Sequence, residues 1–408
     1  MVSRLSGFYK LPVLDRIEKL RVECQLTDDE VDALRGSLTL EAADRMVENV
    51  VGAFQVPLGI AVNFQVNGKE YLIPMATEEP SVIAAASNAA KMAAGGGGFK
   101  AESSKPVMIG QIQVVNPEPG ARKRILERKG ELMEFAQSLD PTLVRFGGGV
   151  DGLEVREVED MLVVHIHVNV ADAMGANAVN TMCEALAPKM EELSGGSVVL
   201  KILSNYALLR TAKASVTVPS VSLGGAEVVD RIIHAYRLAK SDVYRAVTHN
   251  KGVMNGVTAV VLATGNDTRA VEAGCHSFAS RSGMYTSLTT WSKNAAGDLE
   301  GSIEIPVAVG LVGGATKTHP GAKAAVKILG VKSARELGEV LASVGLAQNL
   351  AALRALAAEG IQKGHMRLHA RNIAVNAGAC GADVDRVAQA MVAAGKVSVD
   401  EAKRIMGR

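Results

Sequence analysis

The sequence predicts an α+β protein with a large mixed α/β domain, an inserted ferredoxin-like βαββαβ domain and a small C-terminal helical lid. Three observations lead there. Residues 105–203 carry strand-like and helix-like stretches in the order βαββαβ, the ferredoxin-like split unit. Strand-like and amphipathic stretches on either side make one larger unit that the chain leaves and re-enters. From about residue 366 the pattern is helical only, and Gly364 just before it is a natural hinge. The expected division is 1–104, 105–203, 204–364 and 365–408.

With 408 residues the chain is long enough for two or three domains and a large core. Lys+Arg is 44 and Asp+Glu 43, so nothing points to nucleic acid or a membrane surface as partner. Hydrophobic residues make up 48% and aromatics only 3%, which implies a core of Ala, Val, Leu and Ile. Arg4, Lys10, Asp15 and Arg16 break up any signal peptide, and the apolar runs near 257–264 and 305–312 fall short of the ~20 residues of a membrane span. A soluble, cytoplasmic protein is expected. Cys24, Cys183, Cys275 and Cys380 have no metal-ligand spacing and read as free thiols.

In chain order, residues 1–60 read as helices, with a capping box at Thr27 and Glu30 and a further helix over 41–53. Two strands over 56–75 flank Asn67-Gly68, a strong hairpin signal. Pro80 suits a first helical turn, which puts Glu79 and Ser81 at a strand-to-helix junction. There Glu79 reads, on these residues alone, as a carboxylate complementing a helix N-terminus rather than as a cleft residue. Gly95–Gly98 reads as a hinge toward a boundary near 104. In the inserted unit, the apolar residues of 162–170 alternate with His165 and His167, which fall on the opposite face. An H-x-H pair can ligate a metal, but no carboxylate or cysteine partner is apparent in the sequence, so no metal is expected.

D-A-M-G-A-N at 172–177 opens a helix directly after a strand, where small residues allow an anion to approach unpaired N–H groups. It is not a G-x-G-x-x-G fingerprint. Asp140-Pro141 reads on its own as a simple turn. Val257–Ala263 is a continuous apolar run between Gly256 and Gly265 and reads as a buried central strand. Lys251 and Asn255 precede it; Asn266 and Asp267 follow. On these residues alone, Lys251 reads as a solvated lysine and Asp267 as a helix cap sooner than as a catalytic pair.

K-G-V-M-N-G at 251–256 followed by A-T-G-N-D at 263–267 resembles the catalytic core of 3-hydroxy-3-methylglutaryl-coenzyme A (HMG-CoA) reductases of the soluble bacterial type, class II. E-N-V-V-G at 48–52, E-E-P-S at 78–81, D-A-M-G-A-N at 172–177 and G-H-M at 364–366 agree, in order, over nearly the whole chain. The resemblance implies interconversion of HMG-CoA with mevalonate and CoA by two hydride transfers. It implies a homodimer with a shared active site, open to a higher oligomer, and a helical lid. Lys251 would stabilise the developing alkoxide. Glu79 would be the proton donor, and Asp267 would hold Lys251 charged and tune Glu79. His365 would protonate the departing CoA thiolate. Ser81, Arg245 and Asn255 would orient the substrate. Asp172, Ala173, Met174, Gly175 and Asn177 would hold the nicotinamide cofactor. Asp140 resembles the acid of NADH-using members, so NAD(H) is expected over NADP(H). Two alternatives stand beside this reading: a non-catalytic NAD-binding relative, and a Schiff-base lyase using Lys251.

Overall fold

A computed structural model describes residues 3–36, 38–358 and 370–407. The elements run α1 (Val13–Cys24), α2 (Asp28–Arg35), α3 (Leu40–Asp44), β1 (Leu58–Val66), β2 (Lys69–Ala76), α4 (Val82–Ala94) and β3 (Phe99–Ser103). Next come β4 (Val107–Val115), α5 (Ala121–Glu127), α6 (Lys129–Ser138), α7 (Pro141–Arg145), β5 (Gly149–Val158), β6 (Met161–Asn169), α8 (Ala176–Ser194) and β7 (Ser197–Ser204). The chain continues through β8 (Thr211–Val218), α9 (Ser220–Leu223), α10 (Ala226–Ser241), α11 (Val243–Ala263), α12 (Thr268–Ala279), β9 (Thr289–Lys293) and β10 (Leu299–Pro306). It ends with α13 (Gly314–Thr318), α14 (Pro320–Leu329), α15 (Ala334–Ala358), α16 (Ala382–Ala393) and α17 (Val399–Met406).

The α+β architecture is as expected. One sheet has the order β2-β1-β3-β8-β10-β9, the other β5-β6-β4-β7. The second is the ferredoxin-like arrangement: β4 and β6 are central, each paired antiparallel, and α5, α6 and α8 close one face. The Asn67-Gly68 hairpin forms with both residues at positive φ, as a two-residue turn of this type requires. The Thr27–Glu30 capping box is present in both directions. Ser398 caps α17 by accepting from the Glu401 N–H, and the Glu401 carboxylate turns to Arg404.

Three expectations are corrected. The helix read over 41–53 is limited to Leu40–Asp44, and beyond it Val51 and Phe54 are almost fully exposed. Gly95–Gly98 is not a hinge but a tight turn into β3; a Cβ on Gly96 would lie 1.9 Å from the Thr217 carbonyl oxygen. Val257–Ala263 is not a strand but the second half of the 21-residue helix α11. An apolar run of this length fits a strand or a buried helix equally, and the flanking Gly256 marks close packing rather than a turn.

α15 is the described helix long and apolar enough to cross a membrane, and 67% of that window is buried inside the fold. It runs beneath the large sheet, against α4, α10 and α11. Gly256 and Gly345 let α11 and α15 approach: a Cβ on Gly345 would sit 2.9 Å from Val257 Cγ2, and one on Gly256 2.9 Å from Gln348 Cβ. The substitution Gly345→Val should therefore overpack this crossing and cost about 1–3 kcal/mol. The urea midpoint would fall accordingly, and an unchanged midpoint would contradict the close crossing.

Candidate active site

The exposed face of α11 organises the site. Tyr244, Thr248, Lys251, Asn255, Thr258 and Leu262 recur at helical spacing and are exposed or partly so, whereas Val253, Gly256, Val257 and Val260 between them are buried. Lys251 and Asn255 stand one turn apart on that stripe. Glu79 reaches both from the loop between β2 and α4. Lys251 Nζ donates to Glu79 Oε2 at 2.6 Å, and Asn255 Nδ2 to Oε1 at 3.3 Å. Ser81 begins α4 at φ +75°, a left-handed conformation uncommon for serine, and its side chain makes no cap. Arg245, partly buried in the first turn of α11, has no carboxylate partner among the described residues.

The orientation of α11 is fixed from its buried side. His249 Nε2 lies 2.8 Å from Thr289 Oγ1 and 2.9 Å from Ser287 Oγ. Asn349 of α15 accepts from Thr289 and from the Trp291 indole. Asn250 donates to the Thr286 carbonyl and accepts from the Leu288 N–H. These bonds hold the residues flanking Lys251 against β9 and α15. Nothing in the sequence singled out this cluster, because its members are scattered from 249 to 349.

Asp267 caps α12, accepting from the Arg269 and Ala270 N–H groups and from Arg269 Nε. The contact expected between Lys251 and Asp267 is not formed in this chain. The reason is the helix: Lys251 lies twelve residues before the end of α11, about 18 Å along its axis. His365 lies outside the described residues. Lys251 is 59% exposed and ion-paired, not the apolar setting that the Schiff-base alternative requires.

In the smaller sheet's unit, Asp140 caps α7, with Oδ1 accepting from the Leu143 N–H at 2.8 Å. Gly175, at φ +99°, begins α8 with no side-chain cap and no acidic residue in the first turn; Asn177 in that turn is exposed. The segment before α8 is locked to the larger unit. Asp172 accepts the Ala334 N–H through Oδ1 and the Leu311 N–H through its carbonyl. Ala173 pairs with Val312, and Met174 lies where a Cβ on Gly310 would meet its backbone nitrogen. The buried Arg210 donates to the Ala173, Met174 and Val309 carbonyls. Burial pushes its guanidinium down to about 10, with Asp172 nearby acting in the opposite direction, so it stays charged at neutral pH. Sequence reasoning missed Arg210, and a lone arginine in L-L-R-T gives no signal of it.

The model of the hydroxymethylglutaryl-coenzyme A reductase family matches residues 13–370. The chain belongs to that family. The 3-hydroxy-3-methylglutaryl-coenzyme A reductase of Archaeoglobus fulgidus is 54% identical, covering 100% of this chain and 95% of the relative. A probable reductase of the same name from Borreliella burgdorferi is 40% identical over 80% of this chain and 77% of the relative. The Streptococcus pneumoniae reductase structure is 40% identical and superposes with a TM-score of 0.85 over 98% of this chain and 99% of that one. A class II reductase structure from the same organism, bound to NADPH in open conformations, is 41% identical with a TM-score of 0.84, covering 86% of this chain and 99% of that one. The HMG-CoA reductase function and oxidoreductase class read from the motifs are thereby borne out.

Burial pushes His249 down to about 3 from an ordinary 6.5, so it is neutral in the folded chain at neutral pH. Below pH 6.5 the unfolded chain takes up a proton that the folded chain refuses. Stability present above that pH is then lost as the pH falls toward 3, at about 1.4 kcal/mol per unit. Denaturant unfolding at pH 7 and pH 5 should show wild type losing about 2 kcal/mol more than a His249→Gln variant. Equal losses would contradict a buried neutral imidazole.

Proposed function

We propose that this chain interconverts HMG-CoA with mevalonate and CoA in mevalonate biosynthesis or catabolism, using NAD(H) in preference to NADP(H). The observation that carries this reading is the contact of Glu79 with both Lys251 and Asn255 on the exposed stripe of α11. Lys251 supplies a fixed positive charge beside the oxygen that becomes alkoxide-like at each reduction. Glu79, 2.6 Å from that ammonium, gives the proton. Asn255 and Ser81 orient the acyl group. Arg245, without a carboxylate partner among the described residues, pairs with the substrate carboxylate. His365 protonates the departing thiolate, and the C-terminal part of the chain from 365 acts as a lid.

The nicotinamide cofactor, when bound, supplies the two hydrides. The uncapped N-terminus of α8 suits its pyrophosphate, with Asp172, Ala173, Met174, Gly175 and Asn177 framing the turn. Asp140 supports NAD(H): Oδ1 is used in its cap and Oδ2 has no hydrogen-bond partner among the described residues, so it can accept from ribose hydroxyls and repel a 2′-phosphate. The divisions 1–104, 105–203, 204–364 and 365–408 then correspond to substrate, cofactor, substrate and lid parts.

The same reading makes the protein a cytoplasmic homodimer with a shared site, and two features support the dimer. Lys251 lies twelve residues of α11, about 18 Å along its axis, from the end that leads to Asp267, so the Asp267 that steadies Lys251 comes from a two-fold partner. The exposed Val51 and Phe54 beyond α3 offer an apolar arm for that partner.

One assay tests the reading: purified chain with mevalonate, CoA and either NAD+ or NADP+, following reduced nicotinamide. Turnover with NAD+ that requires both mevalonate and CoA is expected. Lys251→Ala should abolish it, and His365→Ala should spare mevaldehyde reduction far more than HMG-CoA reduction. Turnover with NADP+ alone would remove Asp140 as the discriminator. Absence of turnover in both directions would contradict the proposal.

A further inference from the structure

The small sheet carries a second cluster, on the face away from its helices. β4, β6 and β5 lie side by side there, with Gln111, His165 and Glu154 in one cross-strand row. His167 is two residues along β6 and therefore on the same face. The carboxylate that the sequence did not reveal beside H-x-H is thus present, supplied across the strand pair from β5. His165 Nδ1 lies 3.0 Å from Glu154 Oε1, and His167 Nε2 3.9 Å from the same oxygen. One ligand atom from each of Glu154, His165 and His167 lies within 4.8 Å of the others.

We propose that Glu154, His165 and His167 bind a Zn2+ ion that staples edge strand β5 to β6. Two imidazoles and one carboxylate form a ligand set suited to zinc, with water in the fourth position. Zinc bonds of about 2.0–2.2 Å place tetrahedral ligand atoms about 3.3 Å apart, so the observed separations close onto an ion by small side-chain rotations. Glu154 is half exposed, which leaves the water position open to solvent. Opposite His167 stands Gly152, where even a Cβ would crowd the ring at 3.2 Å from Nδ1. The glycine leaves that flank of the imidazole free.

His165 is held from its other side. Its Nε2 lies 2.9 Å from the Gln111 amide nitrogen. With Nδ1 on the ion, the proton sits on Nε2, and the Gln111 amide turned end for end accepts it through its oxygen. Such a partner behind a ligand histidine fixes tautomer and ring orientation. The cluster is separate from the Glu79–Lys251 pair, and its role is to hold the sheet rather than to act on substrate.

The test is calorimetric titration of ZnCl2 into the full chain freed of metal by EDTA and dialysis, with Co2+ absorption as a second reading. Wild type should bind one Zn2+ per chain, show the visible bands of four-coordinate Co2+, and gain thermal stability as Zn2+ is added. His167→Ala and Glu154→Gln, both at partly exposed positions, should each weaken binding at least tenfold and remove the stability gain. Gln111→Ala, which leaves all three ligands in place, should weaken binding 10- to 100-fold. No saturable binding would overturn the proposal. So would wild-type affinity in both His167→Ala and Glu154→Gln, which would put the ion elsewhere on the chain.

Discussion

The close crossing of α11 and α15 is the constraint on which the site depends. Gly256 and Gly345 remove the side chains that would hold the two helices apart. The approach fixes which side of α11 is buried and therefore which side is free. Only with Val253, Val257 and Val260 turned inward do Lys251 and Asn255 come to lie on the outer stripe, within reach of Glu79. The polar network around His249 and Asn349 then fixes the rotation of α11 about its axis. Fully bonded buried networks specify one arrangement, because any slip leaves polar groups unpaired.

The second constraint joins the two units. The segment before α8 is held by Asp172, by the bridge to Val312 and by the buried Arg210, whose donors go to backbone carbonyls. A buried guanidinium surrounded by carbonyls is costly to disturb, since each lost bond leaves a desolvated donor. The N-terminus of α8 is thus positioned by the larger unit as much as by its own sheet.

Local chemistry was legible wherever neighbours in sequence decide the structure. The Asn67-Gly68 hairpin, the Thr27–Glu30 capping box and the βαββαβ order all depend on nearby residues. The motifs around Glu79, Lys251 and Asn255 marked residues that the fold does bring together. What escaped depends on distant partners. Val257–Ala263 reads as a strand until α15 is known to cover it; the helical stripe of Lys251, Asn255, Thr258 and Leu262 was the available clue. Glu154 is eleven residues from His165 in sequence yet directly opposite it across β5 and β6. The expected Lys251–Asp267 contact went with reading Val257–Ala263 as a strand between them; a rigid helix keeps the two apart.

The central claim is that the reacting carbonyl sits against the outer stripe of α11. A crystal structure of the full chain with HMG-CoA measures this directly. The thioester oxygen should lie about 3 Å from Lys251 Nζ, with the Glu79 carboxylate beside it and the substrate carboxylate on Arg245. An acyl group bound away from Lys251, with the Glu79–Lys251 pair undisturbed, would contradict the account.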